Sequence, residues 1–312
     1  MLVGFASDVL VTVSASEQCR RMKLHEFVLI IAGVFVQPIF TRAEALAPAA
    51  NVGDTFEINL TKDSERHGSN SSSGSSHDAD TIIERVTGLR PDGVELQYDL
   101  PKSATAEERA TSWQFPVRVL KPFSGPVQLL NAADLESRVD AWLKTAGLSR
   151  AACGHWIFTW NAFRIECDPQ SVLNTIDAFD LTAVDFREGA LYHDTDALGS
   201  GKLVRKLSGP DTATFAVELP IDPDSVRRGR AESDVVVGEI MHKPVTFDAA
   251  FQRRAKDVVS GTIAVEFETD TAGEPFRRSR IKKIDVKGSD GQSETETVTE
   301  ILVRRPLHDA IN

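Results

Sequence analysis

The chain has 312 residues, a formal net charge of −11 at pH 7 and a hydrophobic fraction of 41%. This length and apolar content are enough for a globular protein with a sizeable core. The acidic balance argues against nucleic acid as a partner, because nucleic-acid sites need clustered Lys and Arg. It also argues against electrostatic attachment of the whole chain to anionic lipid.

Residues 1–45 are predicted to be an upstream extension followed by a cleaved signal peptide. A short head at Met22-Lys23 precedes 14 almost purely apolar residues, Phe27 to Phe40, and Ala43-Glu-Ala45 has the small-residue spacing of a cleavage site. The apolar run is shorter than the roughly 20 residues of a membrane span, so the mature chain is predicted to have no integral span. A buried N-terminal core helix is the alternative. The start, Met1 or Met22, stays open.

Cleavage after Ala45 leaves residues 46–312, interpreted as a single β-rich domain in the periplasm or outside the cell. The leader has as many acids as bases, so the net charge stays at −11. Asp54 to Thr61 alternates apolar and polar residues, which predicts a half-buried strand. Residues 66–79 are rich in Ser and contain little that can be buried, so they are predicted to form a flexible loop within a β-hairpin.

Two helices are predicted from their start and stop signals. Asn131 to Ala146 begins at a capping residue, repeats apolar side chains at helical spacing and ends before Gly147. Asp168-Pro169 begins the second helix, with Pro in the first turn. Asp222-Pro223 is a candidate start for a third helix, and Phe247 to Lys256 is ambiguous between helix and strand.

Cys153 and Cys167 remain once the leader, with Cys19, is removed. In an oxidising compartment they predict one disulfide. The sequence between them reads as two short strands, and a turn centred on Trp160 pairs Cys153 with Cys167 and Trp156 with Arg164. Two unpaired buried thiols, or a redox pair without the usual C-x-x-C spacing, are the alternatives.

The same hairpin concentrates aromatic residues. Trp156, Phe158, Trp160 and Arg164 are candidate ligand-lining residues of an aromatic wall. The alternative is a packed core in which a helix covers the hairpin.

No metal or cofactor site is predicted. The histidines are scattered without ligand spacing, and His193-Asp194 with Asp196 is interpreted as a solvated polar turn rather than a ligand group. Gly199-Ser-Gly-Lys202 lacks the earlier Gly and the following Ser or Thr of a phosphate loop.

The C-terminal part predicts a three-strand meander through Thr262–Glu268, Phe276–Val286 and Glu294–Arg304. Its second strand is strongly basic and is interpreted as a solvated sheet face with cross-strand ion pairs; the bases are Arg277, Arg278, Arg280, Lys282 and Lys283. A basic ligand-binding patch is the alternative.

The predicted fold is therefore α+β and mainly antiparallel: a curved multi-stranded sheet with two or three packed helices. The function favoured by the sequence is that of an exported, non-catalytic protein that binds a small molecule or an envelope partner in a sheet concavity. An exported hydrolase with dispersed residues, His155 or His193 among them, is one alternative. A structural or assembly component of the cell envelope, pairing through an edge of the meander, is the other.

Overall fold

The computed structural model describes residues 50–158, 162–182, 184–207 and 212–307. The predicted leader and Trp160 lie outside these ranges. Ten strands form one sheet that is not closed, and the prediction of a mainly antiparallel fold is confirmed. In sheet order the strands are β10 (Val204–Leu207), β11 (Ala213–Pro220), β12 (Val258–Thr269), β13 (Pro275–Lys287), β14 (Ser293–Pro306), β1 (Thr55–Gly68), β2 (Ser73–Arg90), β3 (Gly93–Asp99), β4 (Val117–Pro122) and β5 (Gln128–Leu129). Two small separate hairpins are β6 (Trp156–Phe158) with β7 (Ala162–Arg164), and β8 (Leu191–His193) with β9 (Ser200–Lys202).

The predicted meander is confirmed as β12, β13 and β14. It lies inside the sheet, since β12 also pairs with β11 and β14 also pairs with β1. Its outer strands are therefore fully partnered, and the edge on which the envelope-assembly alternative depends is occupied by other strands of the same chain.

The predicted loop at residues 66–79 is mostly strand. β1 and β2 pair as far as His67 with Ser73, and because β1 ends at Gly68 the turn between the strands is residues 69–72. The tract pairs despite its composition because ladder hydrogen bonds use the backbone, and β14 supports β1 along its whole length. Low apolar content therefore predicts exposure at this site but not the loss of strand structure.

The described residues form five α-helices, where two or three were predicted: α1 (Ala106–Thr111), α2 (Ala132–Thr145), α3 (Val172–Asp177), α4 (Pro223–Ile240) and α5 (Phe247–Arg254). The helix predicted at Asp168-Pro169 begins as a 3-10 turn, Pro169–Ser171, before α3. The predicted capping residue Asn131 makes no side-chain cap; its Oδ1 instead accepts a hydrogen bond from the Arg118 amide at 2.9 Å. Among the described helices, none is long and apolar enough to cross a membrane.

One face of the sheet, here called the inner face, carries two apolar cores. The first lies between β1–β4 and the segment containing α2 and α3, where Ile58, Val117 and Val139 are completely buried. The second lies between β11–β13 and the irregular segment 184–203. Phe267 lies at its centre, and the centroid of the Phe267 ring is 5.2 Å from that of the Phe186 ring. The segments between β5 and β10 thus fill much of the inner face with packed side chains.

Candidate functional site

A charged group lies on the inner face between the two apolar cores. We call it the buried charge cluster, and it comprises Asp194, Asp196, Arg280, Lys282 and Glu300. β13 and β14 supply the basic residues and Glu300, and the turn after β8 supplies the two aspartates. The cluster brings together positions more than 80 residues apart in the sequence.

Arg280 is the centre of the cluster. Its guanidinium donates to both carboxylate oxygens of Asp194, at 2.8 and 2.9 Å, and to Asp196 Oδ2 at 2.8 Å and Glu300 Oε2 at 3.3 Å. Lys282 Nζ donates to the same Asp196 oxygen at 2.9 Å. The side chains of Arg280 and Asp194 are only 10% and 5% exposed, so this bidentate pair is almost completely desolvated.

The ionisation of the cluster follows from these contacts. Burial opposes the charged form of Asp194, but the hydrogen bonds and charge of Arg280 outweigh it and hold the pKa of this carboxyl below its usual value. Burial likewise opposes ionisation of Asp196, and Lys282 with Arg280 lowers its pKa strongly. Burial and the charge of Asp194 raise the pKa of the neighbouring Tyr192 phenol to about 12. At neutral pH both carboxyls are therefore ionised and the phenol is protonated.

The structure corrects two predictions at this cluster. Arg280 and Lys282 point to the inner face and are compensated there, not solvated, and only the alternate positions, such as Arg277, lie on the outer face. The turn with Asp194 and Asp196 is not a solvated turn, because both carboxylates are bound by these bases. No group of three His, Cys, Asp or Glu suited to a metal ion occurs among the described residues.

A second polar network lies in the first core. Tyr98 Oη donates to Glu84 Oε2 at 2.9 Å, and Arg304 donates to Glu84 Oε1 at 2.8 and 3.1 Å. Burial, then the charges of Glu84 and Asp180, raise the pKa of Tyr98 well above its usual value. This phenol is therefore a fixed hydrogen-bond donor, and Asp180 is in turn bound by Lys121.

Cys153 and Cys167 form the predicted disulfide. The predicted register is also confirmed, since Trp156 pairs with Arg164 across β6 and β7. Trp156 is half-buried, whereas Arg164 is exposed and its Nε donates to the Gly154 carbonyl at 3.0 Å. The backbone of Phe158 pairs with Ala162. Ligand lining by Trp156, Phe158, Trp160 and Arg164 stays a prediction.

A polar cleft of about 140 Å³ lies at the far end of the sheet. Its walls are the β1–β2 turn around Gly68 and Ser72, the β13–β14 turn from Gly288 to Ser293, and the side chains of Arg230, Arg254 and Glu294. The two turns are joined directly, since the amide of Ser69 donates to the carbonyl of Ser293 at 2.8 Å.

Charges line the side of the cleft formed by α4 and α5. Arg230 Nη1 donates to Glu294 Oε1 at 3.0 Å, while its buried Nε has no hydrogen-bond partner and lies 4.0 Å from Asp257 Oδ2. Arg254 is held by a bidentate contact to Asp234, at 2.9 and 2.6 Å. No local motif in the sequence indicated this site, because its walls come from two turns and from side chains of α4, α5 and β14, which lie far apart in the chain.

The two histidines considered for catalysis do not line the cleft. His155 and His193 are both exposed, and neither is among the residues that line it.

No protein-family model and no curated protein matches the chain. Among solved structures, lipovitellin matches 84% of this chain at 8% identity and a TM-score of 0.38, and the chain spans 26% of its length. Ail, the attachment invasion locus protein of Yersinia pestis, matches 82% of this chain and 100% of its own, at 4% identity and a TM-score of 0.18. At these TM-scores the similarities carry no functional information about this chain.

Proposed function

We propose that the protein is an exported, non-catalytic binding protein, and that its ligand is a small polar molecule bound in the cleft at the end of the sheet. The observation that supports this most directly is the cleft itself, where the side chains of Arg230, Arg254, Asp290 and Glu294 line one open polar cavity. A ligand with carboxylate, hydroxyl or amine groups would hydrogen-bond to these side chains.

The walls of the cleft define the class of ligand. Arg230 and Arg254 offer donors, while Asp290 and Glu294, the latter bound to Arg230, offer acceptors. A ligand that carries both kinds of group, such as a free amino acid or a small polyol, matches this mixture. The volume of about 140 Å³ suits such a molecule and is well below the typical range of drug-sized pockets, roughly 300–1,000 Å³.

The buried charge cluster favours a non-catalytic role. Asp194 and Asp196 are each bound to a base, and the lowered pKa values of these two carboxyls make them poor proton acceptors near neutral pH. A hydrolase of the Ser–His–carboxylate type would need a His beside a carboxylate in a cleft, whereas His155 and His193 are exposed and do not line this cleft.

Export is supported by the predicted leader and by the disulfide, since disulfides persist in oxidising compartments. We propose a periplasmic or extracellular location on these grounds. N-terminal sequencing of protein recovered outside the cytoplasm should begin near residue 46. Recovery only of uncleaved chain from the cytoplasm would contradict export.

The binding proposal is tested with thermal unfolding in the presence of amino acids, polyols and dicarboxylates. One class should raise the midpoint by a few degrees when present at about 100 times its Kd. Arg230→Gln should then weaken binding of that class at least tenfold by calorimetry. Arg228→Gln is the matched control, because Arg228 is on the same helix and exposed but does not line the cleft. No stabilisation by any class, or equal effects of the two variants, would refute the proposal.

A further inference from the structure

The first half of β2 has a neighbouring strand on one side only. β1 pairs with β2 from Ser73 to Arg85, whereas β3 pairs with it only from Ile83 to Arg90. We call residues 73–80 the free edge. Residues 73–79 are exposed, and Asp80 is half-buried. The sheet therefore has a stretch of uncovered strand beside the part of β2 that β3 completes.

The free edge offers backbone donors and acceptors. The Val86 amide donates to the Asp54 carbonyl and the Gly53 amide donates to the Val86 carbonyl, both at 2.9 Å, so Val86 directs both of its groups toward β1. This direction alternates along a strand, and the odd-numbered residues of β2 therefore direct their backbone groups away from β1. Among the described residues, no hydrogen-bond partner is found for the backbone groups of Ser73, Ser75, His77 and Ala79.

The free edge lacks common features that block an exposed strand. It contains neither Pro nor Lys, and its register against β1 has no bulge. At the opposite edge of the sheet, the Arg205 amide of β10 donates to the Glu188 carboxylate. The Leu203 amide, just before β10, donates to the Ala190 carbonyl at 2.8 Å. The β10 edge is thus covered by the chain itself, while the free edge stays available for an added strand.

The acids of the free edge define the charge of the strand that fits it. Asp78 and Asp80 are two residues apart and lie on one face, and neither carboxyl has a hydrogen-bond or ion-pair partner in the described part of the chain. Burial and then the charge of Asp78 raise the pKa of the Asp80 carboxyl. These acids disfavour an acidic strand, and a second copy with a net charge of −11 is disfavoured as well. Basic side chains at alternate positions of an added strand would lie about 5 Å from them.

We propose that the free edge binds an extended, basic segment of a partner protein as an additional antiparallel strand. Backbone hydrogen bonds to the odd-numbered residues hold the segment, and Lys or Arg side chains opposite Asp78 and Asp80 select it. This surface is separate from the polar cleft, because none of residues 73–80 lines the cleft.

The test is calorimetric titration of the full chain with the peptide Thr-Lys-Val-Lys-Thr-Lys-Val, blocked at both ends. In the antiparallel pairing, residues opposite Asp78 and Asp80 direct their amides away from β2, and the residues between them direct theirs toward it. N-methylation of the Val and Thr amides that follow each Lys should therefore weaken binding at least tenfold more than N-methylation of the Lys amides. Replacing Lys with Glu in the peptide should also weaken binding at least tenfold.

Substitutions in the protein locate the binding surface. Ser75→Pro removes an outward amide, which an edge strand tolerates, and should weaken binding of the Lys peptide at least fivefold. Ser75→Ala is the matched control, because it keeps the amide, and its affinity should lie within twofold of the wild type. Asp80→Asn removes a facing carboxylate and should weaken binding of the Lys peptide at least threefold.

Three results would overturn the proposal. The first is undetectable binding of the Lys peptide at millimolar concentration. The second is equal binding of the two N-methylated peptides, which would indicate charge attraction alone. The third is a Ser75→Pro variant that unfolds at the wild-type midpoint and binds as tightly as Ser75→Ala. If Ser75→Pro unfolds at a lower midpoint, the methylated peptides decide with the wild-type protein.

Sedimentation of the free protein tests the other occupant of the free edge. A dimer that is broken by Ser75→Pro and kept by Ser75→Ala would assign the edge to a second copy and overturn binding of a partner segment. A monomer is the expected result. None of these measurements depends on the cleft or its ligand.

Discussion

Replacing Arg280 with Met should strongly destabilise the protein. Met keeps much of the aliphatic length of the side chain but removes four hydrogen bonds to three carboxylates. Asp194, whose side chain is 5% exposed, would lose its bidentate partner while still buried. Breaking a buried ion pair on one side costs about 3–5 kcal/mol, because the remaining charge is uncompensated.

Arg277→Met is the matched comparison on the same strand. Arg277 pairs with Glu268 on the outer face, where the two side chains are 31% and 29% exposed. Such solvated pairs contribute about 0–1 kcal/mol. Urea unfolding at pH 7 should therefore separate the two variants by at least about 2 kcal/mol. Equal losses would refute the inward orientation of Arg280.

A second substitution isolates the electrostatic cause. Adding Asp194→Asn to the Arg280→Met variant replaces the unpaired carboxylate with a neutral amide, which costs less to bury. The double variant should regain more than about 1 kcal/mol of the unfolding free energy relative to Arg280→Met. A double variant no more stable than the single one would assign the loss to packing.

The buried charge cluster also makes the free energy of unfolding depend on pH in the acid range. Although burial favours the neutral forms, Arg280 and Lys282 lower the folded-state pKa values of Asp194 and Asp196 below those of the unfolded chain. The stability they contribute is complete above the unfolded pKa, about 3.9, and is lost as pH falls through the folded values. The unfolding free energy of the wild type should thus fall more steeply below about pH 4 than that of the Asp194→Asn, Arg280→Met variant.

Two further perturbations follow from the backbone and the disulfide. Replacing Cys153 and Cys167 with Ser should lower the unfolding free energy by about 3 kcal/mol, since the bond closes a loop of about 15 residues; reduction of the wild type should give the same loss, and no loss on reduction would contradict it. Gly261→Ala should cost about 2 kcal/mol or more, because its new Cβ would lie 2.1 Å from a backbone carbonyl oxygen of β13. Gly74→Ala, where nothing lies within 4 Å, should change the urea midpoint little, and equal effects of the two substitutions would contradict the steric argument.

The hairpin around the disulfide was predictable because the residues that determine its register are close together in the sequence. The centre of the turn fixes the register of both strands, and that register places Cys153 beside Cys167 and Trp156 beside Arg164. The meander was predictable for the same reason, since alternation of apolar residues and turn residues are both short-range signals.

The two-residue repeat of a strand is a sequence signal that predicts the inward orientation of Arg280. Side chains two residues apart in a strand lie on the same face. Arg280 therefore shares a face with Ile284 and Val286, which are both 5% exposed, while Lys283 lies on the other. Strand parity would have separated the two groups of bases, but nothing local could have indicated that Asp194 compensates Arg280 across 86 positions.

The place of α4 and α5 in the chain supports the proposed binding cleft. β11 ends at Pro220 and β12 begins at Val258, yet these strands are antiparallel neighbours, which a turn of a few residues can join. Pairing of β11 with β12 therefore does not require the long connection between them. Long connections in compact domains are commonly functional. This connection supplies Arg230 and Arg254 to the cleft. We therefore expect binding at the end of the sheet, because the inner face, which the sequence predicted to form a concavity, is largely filled by the two apolar cores.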